Sequence, residues 1–355
     1  MRGVSRFWAA ALLALATALH AQSPTCASCH VSIARSQPAT PMGRALQLPG
    51  ANPSLANHPK LTFQRGMYTY TVETRAGHST YSVSDGTSTI TLPIEWAFGA
   101  NNQTFVLERD GKLYESLVSF YQATGALDVT TGDDTLVPRS LAEAIGREQG
   151  VNDAKACFGC HATGAVHDGA VHDGGLDLKS LTPGLGCEHC HTGSAQHLKD
   201  ALFKKLDTSP PDLGALSSED LSGFCAQCHR SWETVVRSRW TGPMNVRFQP
   251  YRLANSRCFN GTDPRISCVA CHDPHGDLKR TPASYDPQCL ACHNAKPNVA
   301  PKTASRAEMP KICPVAKSQC ATCHMPKVTL PHSGGHLTFT DHEIRVVRPG
   351  DAYPN

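Results

Sequence analysis

Large side chains are scarce in this 355-residue chain. Aromatic residues make up 6% of it and charged residues 18%. So thin a supply argues against one side-chain core running its whole length. A formal net charge of +3 rules out nothing by itself and gives no hint of a nucleic-acid groove. Beyond residue 21 no apolar run is long enough to span a membrane, so the mature chain offers no transmembrane segment. What the chain has instead is 16 cysteines, 18 histidines, 28 glycines and 25 prolines. That many thiols is unusual in a reducing compartment, and a disulfide scaffold is normally a much shorter chain.

Residues 1–21 read as a secretory signal. Arg2 and Arg6 precede an apolar, acid-free run from Phe7 to Leu19 that is short for a membrane span. Cleavage after Ala21 leaves Gln22 in front; cleavage after Ala18, with Ala16 behind it, fits the small-residue rule better. An uncleaved amphipathic anchor is the alternative. Export places the cysteines in an oxidising compartment, the periplasm or the outer surface.

Fourteen of the sixteen cysteines fall into seven Cys-x-x-Cys-His motifs. Their thiols are Cys26 and Cys29, Cys157 and Cys160, Cys187 and Cys190, Cys225 and Cys228, Cys268 and Cys271, Cys289 and Cys292, and Cys320 and Cys323. The histidines that follow are His30, His161, His191, His229, His272, His293 and His324. Two thiols at this spacing can each form a thioether to a porphyrin vinyl group, and the next residue then carries its imidazole under the ring to the iron. Zinc sites and dithiol redox pairs need the cysteines but not an invariable histidine after the second. Seven motifs therefore predict seven covalently bound haems c. The remaining Cys258 and Cys313 most simply form a disulfide; two free buried thiols, or a thiol beside a haem, are the alternatives.

Motif starts are separated by 131, 30, 38, 43, 21 and 31 residues, so one haem site stands apart from a run of six. The expected layout is a monohaem segment at 22–57, a small antiparallel β domain at 58–136, a six-haem domain at 137–345 and a tail at 346–355. The β reading rests on Leu61–Tyr70, Tyr81–Leu92, Thr104–Leu107 and Leu113–Tyr121, with a tight turn at Arg109–Lys112. Ser140–Gln149, Ser194–Leu206 and Ser217–Val236 read as helical. The fold class expected is a multihaem cytochrome c: short helices and loops wrapped around stacked haems, little regular sheet, and that small β domain inserted between the first and second motifs. Porphyrin faces would supply the missing core, and the apoprotein would not fold.

Without the leader's His20, ten histidines remain as second axial ligands: His58, His78, His167, His172, His189, His197, His275, His332, His336 and His342. This pool suggests mostly bis-histidine, six-coordinate irons suited to passing electrons. His275 stands three residues after His272, too near for the same iron but able to reach an adjacent haem. His197, His167, His172, His336, His342 and His58 are the other candidates, with Met42 as a thioether ligand that would raise one potential. His78, His189 and Met325 are poorly placed.

The phrases PGLGCEHCHTGSAQHL, VRFQPYRLANSRCF, ISCVACHDPHG, CPVAKSQCATCHMPK and FTDHEIR together resemble the exported multihaem c-type cytochromes. More narrowly they resemble a soil-bacterial group with doubled Cys-x-x-Cys-His motifs, whose inter-haem β region is similar to FVLERDGKLYESLVSFY. The resemblance covers nearly all of the mature chain. It extends more distantly to the tetrahaem cytochromes of ammonia oxidisers and to hydroxylamine oxidoreductase. There a Gly-Ser-x-His phrase supplies a distal histidine, which carries over to His197 with Gln196 as an extra residue. Those relatives also place a histidine where this chain has Met42.

The resulting expectation is a one-electron carrier working between redox proteins of the cell envelope, able to self-associate into haem chains. The alternative is an oxidoreductase acting on a small nitrogen or sulfur oxyanion at one open iron. Arg239, Arg247, Arg252, Tyr251 or His172 would back that iron. Loss of the leader leaves 31 basic against 30 acidic side chains. With roughly one negative charge per ferric haem, the loaded protein would carry about −6 and dock on basic partner surfaces.

Overall fold

The computed structural model describes residues 25–167, 175–203, 209–293 and 312–354. The leader at 1–21 and His172 lie outside the described residues.

Sheet dominates the first half of the protein. Nine strands form it: β1 (Leu46–Gln47), β2 (Lys60–Arg65), β3 (Tyr68–Arg75), β4 (His78–Ser84), β5 (Thr89–Phe98), β6 (Gln103–Arg109), β7 (Lys112–Tyr121), β8 (Ala126–Val129) and β9 (Gly146–Glu148). Strands β2 to β8 follow one another as an antiparallel meander, β1 adds to β5 and β9 adds to β7. Strand β2 returns alongside β8, so the sheet is nearly closed. Arg65 secures that approach by donating to the carbonyls of Asp133 and Asp134, just beyond β8.

These residues form strands because their buried positions alternate. Tyr68, Tyr70 and Val72 of β3 point to one side, and Tyr70 and Val72 lie opposite Val83 and Tyr81 of β4. With Phe105, Leu107, Leu117 and Phe120 they fill the interior of the sheet. Each such side chain contributes about 1.5–3 kcal/mol by leaving water. Turns at Gly66, Gly86 and Asp110-Gly111 set the hairpins. At the last, both residues have positive φ, 54° and 74°, as a type I′ turn requires.

The expectation of little regular sheet and a small β domain is therefore corrected. The sheet runs from residue 46 to residue 148 and has its own side-chain core. Two of its strands lie outside 58–136. Strand β9 occupies a stretch read as helix, of which Glu143–Ile145 keeps only a 3₁₀ turn. The β-rich stretches Leu61–Tyr70 and Tyr81–Leu92 each contain a hairpin turn. Six further short strands follow: β10 (Ala162–Thr163), β11 (Val166–His167), β12 (Gly175–Leu176), β13 (Thr182–Pro183), β14 (Lys327–Thr329) and β15 (Thr338–Thr340). They pair as β10 with β13, β11 with β12, and β14 with β15. Two- and three-residue strands are too short to show a period, which is why they escape a sequence reading.

Helices are short and are concentrated on the cysteine motifs. They are α1 (Val31–Ser36), α2 (Pro53–Asn57), α3 (Val151–His161), α4 (Cys187–Cys190), α5 (Ser194–Leu202), α6 (Ser218–His229), α7 (Trp232–Arg237), α8 (Gln249–Ala254), α9 (Cys268–Cys271), α10 (Asp286–His293) and α11 (Cys320–His324). The stretch read as one helix over 217–236 breaks at Arg230, whose φ is 68°. No helix among the described residues is long and apolar enough to cross a membrane.

Candidate cofactor site

Every Cys-x-x-Cys-His motif sits on one turn of helix. The first occupies the 3₁₀ turn Cys26–Ser28, and the others lie on α3, α4, α6, α9, α10 and α11. A helical turn carries the two thiols along one side and leaves the histidine at its end, as a thioether-anchored ring needs.

The sheet seats the second motif. Val106, between the inward-facing Phe105 and Leu107, belongs to a second cluster with Leu46, Ala154 and Phe158. Phe158 lies between the motif's two cysteines. It packs edge-on against Trp96 at 5.2 Å and Phe98 at 5.0 Å. Phe98 also meets the His161 ring at 5.0 Å, and His161 Nδ1 lies 2.9 Å from the Ala45 carbonyl. Thus strand β5 and the residue just before β1 orient this imidazole.

Other motif histidines are held in the same way. His324 Nδ1 lies 2.9 Å from the Arg345 carbonyl, and His229 Nδ1 lies 3.2 Å from Gln249 Oε1. A ring that gives its Nδ1 proton to an oxygen turns an Nε2 lone pair outward, the arrangement of a metal-binding histidine. Burial holds His161, His191, His229 and His272 below the ordinary imidazole value, favouring the neutral form that can ligate.

Two histidine pairs face each other. The ring centres of His191 and His275 are 6.1 Å apart, with planes within 10°. Those of His272 and His342 are also 6.1 Å apart. An imidazole nitrogen binds a first-row metal at about 2.0 Å and lies roughly 1.1 Å from its ring centre, so two rings sharing one ion stand about 6.2 Å apart. Both pairs match that spacing. His342 is pushed down to about 4, by burial first and then by the charge of His272. Its Nδ1 lies 3.0 Å from the Thr340 carbonyl.

The motifs also neighbour one another through their thiols. Cys26 lies beside Cys187, Cys160 beside Cys228, Cys225 beside Cys268, and Cys289 beside Cys320. Cys190 lies within electrostatic reach of Cys225 and Cys228, and Cys271 within reach of Cys289. These proximities place the motifs in the order first, third, fourth, fifth, sixth and seventh, with the second beside the fourth. Asp286 at the start of α10 accepts from the backbone N–H groups of Gln319 and Cys320 at 2.7 and 2.9 Å, tying the sixth motif to the seventh.

The remaining predicted ligands are placed differently. His197 lies on α5, and its buried Nδ1 has no hydrogen-bond partner among the described residues. His58 rests on Phe120 at 4.9 Å, with Nδ1 2.8 Å from the Ser54 carbonyl, at the sheet rather than at a motif. His336 Nε2 pairs with Asp128 Oδ2 at 2.6 Å, and its ring stacks on Tyr121 at 4.3 Å, fastening the C-terminal segment to β7 and β8. Met42 is half-buried, and its carbonyl accepts from Leu185, two residues before the third motif. His167 lies on β11, whose partner is β12. His30 caps α1 and contributes charge near His191, while His293 ends α10.

Cys258 and Cys313 are both free thiols. Cys258 lies near Cys289 and Cys292, whereas Cys313 is held by the backbone N–H groups of Val315 and Ala316. Among the described residues no group of three or more His, Cys, Asp or Glu side chains is set to hold a bare metal ion.

Residues 133–192, which contain the second and third motifs, match the family described as cytochrome c554 and c-prime. This chain is similar to multihaem c-type cytochromes. The C-type polyheme cytochrome OmcB, from two strains of Geobacter sulfurreducens, is 24% identical over 158 residues. That stretch is 44% of this chain and only 16% of the relative's length. No solved structure matches the chain. The likeness supports a general c-type cytochrome character. The half-exposed thiol turns and opposed histidines fit that group.

A four-charge cluster beside His342 escaped the sequence reading. Arg252 on α8 is wholly buried and makes two bonds to Asp341, at 2.8 and 3.0 Å, and one to Glu343 at 2.6 Å. Arg252 was among the residues expected to back an open iron, but its guanidinium is engaged here instead. Its signal in sequence was a pair of remote phrases, PYRLANSRC and TDHEIR, with nothing to say that they meet.

Proposed function

We propose that this protein is an exported seven-haem c-type cytochrome that moves electrons one at a time between redox partners of the cell envelope. The observation that carries the reading is the series of neighbouring motif thiols, four pairs adjacent and two further links within electrostatic reach. Haems anchored on neighbouring turns lie close enough to exchange electrons, so no motif would be isolated. Bound haem supplies the reversible one-electron iron couple.

The chain's own residues do the rest. The fourteen motif cysteines anchor the rings, and the seven motif histidines present their imidazoles. The opposed pairs His191 with His275 and His272 with His342 favour bis-histidine coordination at two irons. His275 then serves a different haem from the one anchored beside it. His197, with its unpaired Nδ1, suits a third. Two firm imidazoles close an iron to substrate and lower its potential, which suits a carrier better than a catalyst. Periplasmic placement, and docking through an acidic surface, follow from the leader and the charge of the loaded protein.

Pyridine haemochrome analysis tests the count. Seven haems per chain is the expected result, and a value near zero would sink the proposal. Electron paramagnetic resonance of the oxidised protein tests the role. Low-spin signals alone favour the carrier, whereas a stable high-spin ferric haem with substrate-dependent turnover would replace it with the oxyanion enzyme.

A further inference from the structure

We propose that Arg252 is the positioning residue for His342, holding that imidazole opposite His272 from behind. The inference rests on the bis-histidine reading above and goes beyond it, because Arg252 touches neither ring.

Its contacts fall on both chain neighbours of His342. The guanidinium forks onto Asp341, with Nε to Oδ1 at 2.8 Å and Nη2 to Oδ2 at 3.0 Å. It meets Glu343 Oε2 at 2.6 Å and donates from Nη1 to the Pro354 carbonyl at 3.1 Å. Tyr353 lies against it, 4.6 Å from ring centre to guanidinium carbon. Arg345 pairs with the remaining lone pairs of Asp341 at 2.6 Å. Two cations and two anions leave the cluster neutral, so burying it strands no charge. The carbonyl of His342 is fixed as well, since Ser256 Oγ donates to it at 3.1 Å and accepts from Ile344 N at 2.8 Å.

His342 is therefore the middle residue of a short segment whose flanks are bolted to α8 and the residues just beyond it. Strand β15, paired with β14 directly after the seventh motif, delivers the segment to that place. Buried ion pairs stabilise weakly against apolar replacements, but they specify geometry strongly when every hydrogen bond is made. Only a planar fork can serve two carboxylates and a carbonyl from one buried point. A lysine keeps the charge and loses the fork.

The test uses the full-length haem-loaded protein. Carbon monoxide is added after reduction, and haem content is measured in parallel. His342→Ala should gain about one carbon monoxide-binding haem per chain over the parent, because an axial position opens. Arg252→Lys should gain a part of that same band, several-fold above the parent, with unchanged haem content. Glu343→Gln, which is gentler on folding, should show a smaller gain of the same kind. Leu117→Ala, in the sheet core, should lower stability without any gain, separating positioning from general destabilisation. Parent-like binding in both Arg252→Lys and Glu343→Gln, beside a gain in His342→Ala, overturns the positioning role. If Arg252→Lys fails to accumulate, Glu343→Gln decides: no gain there overturns it. Parent-like binding in His342→Ala itself overturns the ligand assignment beneath the proposal.

Discussion

Replacing Phe158 by alanine should loosen the second motif from the sheet. The ring is 1% exposed and touches Trp96 and Phe98 edge-on at 5.2 and 5.0 Å. Truncating a buried phenylalanine costs about 3–5 kcal/mol, and each aromatic pair accounts for roughly 0.5–1.5 kcal/mol of that. The site can collapse little, because Phe98, Val106 and Ala154 are held by strand and helix backbone around a small cavity already present. Against a net stability of about 5–15 kcal/mol, such a loss is large. Guanidinium unfolding of the haem-loaded protein, followed by far-ultraviolet circular dichroism, measures it. Phe158→Leu keeps most of the volume and should lose roughly a third as much. Phe203→Ala, at a position 77% exposed, should stay within about 0.5 kcal/mol of the parent. If Phe158→Ala and Phe203→Ala unfold alike, the sheet does not seat this motif and the reasoning fails.

Other substitutions probe the rest of the site. His275→Ala should convert one low-spin haem to high spin, as seen by electron paramagnetic resonance, and an unchanged spectrum removes the pairing with His191. Asp286→Asn should lower the urea midpoint near neutral pH, since two backbone N–H groups hold this carboxylate below its ordinary value of 3.8. The folded value is depressed, so the stabilisation is complete above about pH 4 and disappears as pH falls through the folded value. Parent and variant should therefore converge in acid, and a gap that persists there refutes the assignment. Gly184→Ala should lower the melting temperature markedly. Its φ is +77° and an added Cβ would meet the Gly43 carbonyl at 1.9 Å, whereas Gly193→Ala at +82° has open space and should cost only about 1–2 kcal/mol. Equal effects would show that the close approach of the Met42 segment to the third motif is immaterial.

Local chemistry was legible in the residues. The spacing Cys-x-x-Cys-His identifies its own purpose, because the geometry it serves is contained within one helical turn. Hairpin turns such as Asp110-Gly111 were legible for the same reason. The extent of the sheet was not. Thr- and Ser-rich strands with half-exposed outer positions carry a weak alternation, and β1 and β9 join only by pairing with strands about 30–50 residues away. Some ligand candidates were equally underdetermined. His275 and His336 look alike as histidines near Gly-rich turns, yet one faces His191 and the other is taken by Asp128 and Tyr121.

By itself, then, the sequence determined the seven Cys-x-x-Cys-His motifs, the imidazole that follows each pair of thiols, and a pool of ten further histidines in the expected mature chain. Tertiary structure decided which histidines oppose one another, which motifs neighbour one another, and which buried charges hold the segment around His342 in place. The physical reason is range. Thioether anchoring is satisfied over five consecutive residues, whereas an axial partner or an ion pair such as Arg252 with Asp341 depends on where distant segments pack.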